Sequence, residues 1–357
     1  MAIYLDDTQR NTVARLATSW TWRTQWPTWA LIITIYGGWF GVATHARELG
    51  LPLTTLLLAV LGTWYMSLQH ELLHGHPTRS PFVNALLGFA PLAVWFPYGI
   101  YRDSHLRHHD DPHLTHSERD PESYFVSALV WRHTGWSIRA LLTFRNTFVG
   151  RLLVGPAFSI AATGVDALRK IKCGDWRDIP LWLAHFAAVA ALAAWLQHAC
   201  GIPAWVFFVG AGYGALSLSS IRSFQEHREA QAHEHRSVIN EAAWFWRLLF
   251  LNNNYHLVHH DLPHIPWYAL RGVYETSRQQ YLERSGGFLV KGYSEWIKRY
   301  FLAVVAHPVT AGGSDASRRN PGASGSFAGN LRLMVGIRQG ELHEAHLPTP
   351  AKRQTAE

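Results

Sequence analysis

Four apolar stretches, residues 26–44, 51–69, 179–199 and 203–221, are each long enough to cross a bilayer as a helix, which takes about 20 residues. They come in two pairs joined by the short connections 45–50 and 200–202, so each pair reads as a transmembrane hairpin. A backbone crossing hydrocarbon must satisfy its own hydrogen bonds, and closed barrels aside only helices do so. The expected fold is therefore an all-α integral membrane body. A fifth apolar stretch, 82–100, is interrupted by Pro91 and Pro97. If it spanned, the polar segments on either side would face opposite compartments, so it is expected to be re-entrant or interfacial.

Charge gives the orientation. Arg10, Arg15 and Arg23 precede the first span, and the long segments 102–178 and beyond 221 hold most of the remaining Arg and Lys. The two hairpin tips hold only Arg47. The positive-inside bias then places both termini and both long segments in the cytoplasm. Three regions follow: a cytoplasmic N-terminal segment over 1–25, a membrane body with a cytoplasmic cap over 26–308, and a Gly/Ser/Pro-rich tail over 309–357 expected to be flexible. The first residues show no cleaved signal pattern. With 27 Arg against 5 Lys, the composition fits a GC-rich bacterial genome and an inner-membrane location. The net charge of +7 is spread along polar segments with no nucleic-acid module, so nucleic acid is not an expected partner. Two cysteines leave no disulfide scaffold and no paired thiol site.

The 22 histidines are grouped. His70 and His74 are four apart at the end of the second span, so on a helix both imidazoles share a face. His105, His108 and His109 follow the interrupted stretch with spacing i, i+3, i+4, and His256, His259 and His260 repeat it. His227 lies just past the fourth span. All are expected on one side of the membrane. Neutral imidazole is the common metal ligand, and one zinc takes four protein ligands at most. Nine nitrogens therefore fit two metal ions, with iron, copper, nickel or zinc all suited to imidazole. By contrast His45, His133, His185 and His198 read as polar residues near the membrane boundary. His76, His113, His116, His233, His235 and His264 read as surface or supporting residues, with a ligand role as the alternative.

The three histidine boxes resemble those of the membrane fatty acid desaturase superfamily. Asp120-Pro121-Glu122 after the second box and Asn252 four residues before His256 strengthen the likeness, which runs from about residue 25 to 275. The resemblance implies four transmembrane helices under a cytoplasmic cap that holds two irons, with the nine histidines above as ligands and O₂ as co-substrate. His227 matches the family's extra histidine. Ser223 stands where the family often has an asparagine holding a metal-bound water. Among carboxylates that could orient imidazole N–H groups, Asp120 and Glu226 adjoin shared motifs and are the first choices; Asp103, Asp110, Asp111, Glu122, Glu71 and Asp261 are weaker ones. Desaturation of an acyl chain is the leading reaction implied. Hydroxylation, ketolation or desaturation of a non-acyl substrate, a carotenoid or an amino-acid-like metabolite, is the alternative, and a non-catalytic metal-binding protein a remote one. Alkane hydroxylase-like proteins typically place three residues between the first two histidines of the second box; here there are two, Leu106 and Arg107. His307-Pro308 is followed by Val309-Thr310, so the haem signature of a fused cytochrome b5 is absent. Electrons are then expected from a separate ferredoxin or cytochrome b5-type donor.

Overall fold

A computed structural model describes residues 2–110 and 113–309. Almost all of its regular structure is helical; the strands are the two-residue pieces Ile239–Asn240 and Leu289–Val290, paired in parallel. Each of the four apolar stretches is a helix. Proline in the first turn starts Trp26–Thr44, Leu51–Leu73 and Ile179–Trp195, where its missing N–H costs nothing and its φ already suits a helix. The third helix continues as wider π turns over Leu196–Cys200, and the fourth begins with them over Val206–Gly212 before Tyr213–Arg222.

Leu51–Leu73 and Ile179–Cys200 are long and apolar enough to cross a membrane. Apolar side chains point outward on all four helices, including Ile33, Leu56, Leu183 and Val209. Inside, small residues bring the second and fourth helices together. A Cβ on Gly62 would lie 3.0 Å from that of Ala215, and one on Gly210 would lie 2.6 Å from Thr55 Cγ2. Where lipid is as apolar as the side chains, such close backbone approach supplies the packing that holds helices together.

The proline-interrupted stretch is a short helix, Pro81–Gly88, followed by irregular chain as far as Tyr98. Eight residues rise only about 12 Å, so it does not cross as one helix. Its exposed carbonyls are taken up by polar side chains of the apolar helices. The hydroxyl of Tyr65 donates to Gly88 O at 2.7 Å and Ala90 O at 2.9 Å, and Gln69 Nε2 also donates to Gly88 O. His185 Nε2 donates to Val94 O at 2.9 Å. The sequence assigns His185 to the membrane boundary; it is instead buried and completes the irregular backbone.

Ala46–Leu49 turns the tip of the first hairpin, and further helices form the cap. Tyr98–Asp110 and His256–Asp261 carry the second and third histidine groups. Helix Trp267–Thr276 packs Leu270 and Tyr274 into an apolar cluster with Val13 of the N-terminal helix Asp7–Ala17. At the far end Val309 pairs with Val126, and the rest of the expected tail, like Asp111, lies outside the described residues.

Candidate metal centre

The second histidine group rides on the helix Tyr98–Asp110, whose turn is set by 3.6 residues. Residues i and i+4 then sit about 40° apart around the axis, while i+3 falls about 60° to the other side. That offset sorts the nine nitrogens. His70, His74, His105, His109 and His259 form one group and His108, His227, His256 and His260 a second, with the ligand atoms of each group within 4.8 Å of one another. Every i, i+4 pair stays together: His70 with His74, His105 with His109, and His256 with His260. Every i+3 histidine crosses over, His108 to the second group and His259 to the first. The rings of His109 and His260 stack at 4.3 Å, so the two groups are adjacent.

The second ring nitrogens show which way each imidazole is wired. His108 Nδ1 lies 2.7 Å from Asp120 Oδ1, His105 Nδ1 lies 2.9 Å from Glu122 Oε1, and His256 Nδ1 lies 3.2 Å from Asn253 Oδ1. Oxygen acceptors there fix the proton on Nδ1 and leave Nε2 with a bare lone pair in the neutral ring. Yet His108 Nε2 and His256 Nε2 lie 3.1 Å and 3.0 Å from the same atom, His227 Nε2, and His260 Nε2 lies 3.1 Å from His256 Nε2. In the first group His109 Nε2 lies 3.1 Å from His105 Nε2 and 3.0 Å from His259 Nε2. Converging lone pairs repel, and too few protons are available to bridge them. Nitrogens about 2.1 Å from a shared cation and at right angles would be about 3.0 Å apart, which is the spacing found. His74 Nε2 is buried with no hydrogen-bond partner. The donor set thus fits a pair of imidazole-bound metal ions.

Electrostatics agree. Burial, with neighbouring imidazoles adding to it, holds His109, His256, His259 and His260 well below the ordinary histidine range, and His227 at about 3. These rings are neutral and ready to ligate at neutral pH. At His108 burial is outweighed by the Asp120 and Glu122 carboxylates, which push it up to about 9. A divalent cation held by the four nitrogens would take the place of that proton. Asp120 and Glu122 are held below the usual carboxylate range: burial opposes this, and the facing imidazoles prevail.

These shifts set a pH dependence for metal-free protein. A depressed histidine binds its proton in the unfolded chain first, so its contribution falls as pH drops from about 6.5 toward its folded value. His108 works the other way, its contribution being complete below about 6.5 and lost as pH rises toward 9. Five depressed rings outweigh one raised ring in acid. After chelation, thermal unfolding is expected at a lower temperature at pH 5.5 than at pH 7.5; equal values would contradict the buried neutral rings.

The supporting residues named from sequence fall differently. Asp120 touches His108, and Glu226 Oε1 lies 3.5 Å from His256 Nδ1 while Arg222 Nη1 holds it at 2.5 Å. Asn252 faces away: its amide donates to Trp267 O at 2.8 Å. The asparagine that does reach the histidines is Asn253, whose Nδ2 lies 3.4 Å from His70 Nε2. The reason is local backbone: Leu251 and Asn252 both take positive φ, 49° and 57°, which turns the next side chain inward. Ser223 lines the adjoining cavity, and its hydroxyl makes no hydrogen bond to a histidine among the described residues. Glu71 accepts from Trp267 N–H instead of supporting an imidazole, and Asp261 is gripped by both ends of the Arg284 guanidinium at 2.8 Å. Among the remaining histidines, His76, His113, His116, His233, His235 and His264 lie outside both groups. Asn253, which the sequence reading missed, stands three residues before His256, one i, i+3 step from a ligand candidate.

A helical body that gathers nine histidines into two adjacent groups offers two neighbouring sites, each able to hold a metal ion. The fatty acid desaturase family model matches residues 46–291, and the chain belongs to that family, whose members are oxidoreductases and typically iron-dependent. No curated protein matches the chain.

Proposed function

We propose that this chain is an O₂-dependent di-iron oxidoreductase of the membrane that introduces a double bond into a fatty acyl chain. The observation that carries the reading is the division of nine histidines into groups of five and four. His70, His74, His105, His109 and His259 would hold one iron, and His108, His227, His256 and His260 the other. Bound there, the irons supply the reduction of O₂ to an oxidant able to cleave an unactivated C–H bond. Zinc, which has no redox chemistry, would not.

The protein's own share is positioning. Asp120, Glu122 and Asn253 hold the Nδ1–H atoms of His108, His105 and His256, so that each Nε2 faces its group. A cavity of about 730 Å³, walled by His70, His227, Glu122 and Glu226 at the centre and by Phe96, Ile100 and Leu216 along its side, gives the substrate a place beside the metals. The four apolar helices with outward Ile33, Leu56, Leu183 and Val209 support four membrane spans, the segment 82–100 being re-entrant and the cap cytoplasmic. Electrons come from a separate ferredoxin or cytochrome b5-type protein.

The test compares cells expressing the wild type with cells expressing the His108→Ala variant. Total fatty acids are resolved by gas chromatography–mass spectrometry. A double bond found only with the wild type is the expected result. An unchanged profile from cells holding iron-loaded protein would sink the acyl assignment and leave hydroxylation or a non-acyl substrate.

A further inference from the structure

The cavity beside the histidine centre carries more charge than a hydrocarbon chain calls for, and most of that charge is matched. Lys170 pairs with Asp178 at 2.8 Å, Arg177 with Asp175 at 2.7 Å, and Arg222 with Glu226 at 2.5 Å. Arg151 is not part of any of these ion pairs. It is only 7% exposed, lines the cavity, and takes part in none of the salt bridges among the described residues. Its Nη2 reaches Phe224 O at a long 3.5 Å, and its Nε has no hydrogen-bond partner. The carboxylate whose charge reaches it, Glu226, is already held by Arg222.

What fixes Arg151 is Tyr124, through its ring face and a side-chain hydrogen bond. Its guanidinium stands 4.2 Å from the centre of the Tyr124 ring, and the Tyr124 hydroxyl donates to His227 O at 3.1 Å. One side chain therefore links the cation to a residue of the second histidine group. Arg145 approaches the same ring at 5.9 Å and donates to the Tyr124 carbonyl. The Arg151 guanidinium thus sits in a buried wall without a carboxylate of its own, where a cation is costly. The planar guanidinium fork is suited to a planar, two-oxygen anion.

We propose that the substrate is an anionic amphiphile whose oxyanion is held by Arg151 inside the cavity, with its carbon chain running past Tyr124 to the histidine centre. This rests on the reading that the centre acts on a molecule bound in this cavity. It narrows the substrate class to molecules carrying an exposed carboxylate or phosphate, such as a free acid, and disfavours neutral lipids and hydrocarbons.

The test uses iron-loaded, full-length protein in detergent, with hexanoate, hexyl phosphate and the neutral hexanamide as probes. Dissociation constants are taken from shifts in thermal unfolding. Hexanoate or hexyl phosphate is expected to bind at least tenfold more tightly than hexanamide, and the stronger of the two identifies the head group. Arg151→Gln should lower anion affinity at least tenfold, with Arg151→Lys intermediate because charge remains without the flat fork. Equal affinity for hexanoate, hexyl phosphate and hexanamide overturns the proposal, as does an Arg151→Gln variant that binds anions like the wild type. If both variants misfold, the wild-type comparison with hexanamide decides. Iron per chain is measured in the same samples. Protein that holds no iron refutes the metal reading itself, whereas iron-loaded protein indifferent to charge refutes only the anion.

Discussion

Replacing His108 with Ala is expected to abolish activity and to take bound iron down by about half, because it strips one nitrogen from the group of four and leaves the group of five intact. Three nitrogens remain in the damaged group, while affinity for a metal depends on the full deprotonated set. The substitution also strands Asp120, whose side chain is 2% exposed and whose Oδ1 lies 2.7 Å from the lost ring. Breaking a buried charge from its partner costs up to about 3–5 kcal/mol, less here because the Glu122 and Thr115 N–H groups still face Asp120, so iron must be counted per folded chain. His259→Ala removes a nitrogen from the other group, and should likewise abolish activity while sparing the iron held by His108, His227, His256 and His260. Iron analysis on size-fractionated protein, alongside turnover, checks both. Full iron and full activity in either variant would end the ligand assignment.

The second large effect comes from a residue that touches no metal. Asp120 Oδ1 accepts from His108 Nδ1 and from Glu122 N at 2.9 Å, while Oδ2 accepts from Thr115 N at 2.8 Å. Both oxygens thus face only N–H groups. Asp120→Asn keeps the shape, yet either orientation of the amide sets an NH₂ against a donor. If the NH₂ faces His108, the ring must move its proton to Nε2 and lose the lone pair that points into the second group. If it faces Thr115, that buried N–H loses its acceptor. Loss of such a supporting carboxylate lowers metal affinity about 10–100-fold, and here the loss should fall on the second group alone. Titration of iron-loaded protein with a chelator would show one site released early and the other unchanged. A variant that gives up both irons together, or neither, would contradict the division into groups.

The sequence by itself determined the helical class and the identity of the nine histidines. Apolar runs of bilayer length admit few other folds, and i, i+3, i+4 spacing places imidazoles on one face whatever the surroundings. It also determined that Asp120 belongs with the second box. The broken stretch 82–100 was legible too, since two prolines forbid one continuous helix. What it could not determine was which histidine joins which group. That depends on how two helices, Tyr98–Asp110 and His256–Asp261, are rotated toward one another, so that the i+3 ring of each reaches across. Nor could it tell Asn253 from Asn252, because the choice is made by two left-handed backbone residues in a turn. His185 belongs to the same class: its carbonyl partner, Val94, is 91 residues away. Arg151 is another example, since one guanidinium among 27 arginines is distinguished by its burial in the cavity wall against Tyr124. Local spacing and apolar length are properties of one element and survive in one dimension. Contacts between elements depend on rotation, burial and the matching of charge across the core, and only the tertiary structure decides them.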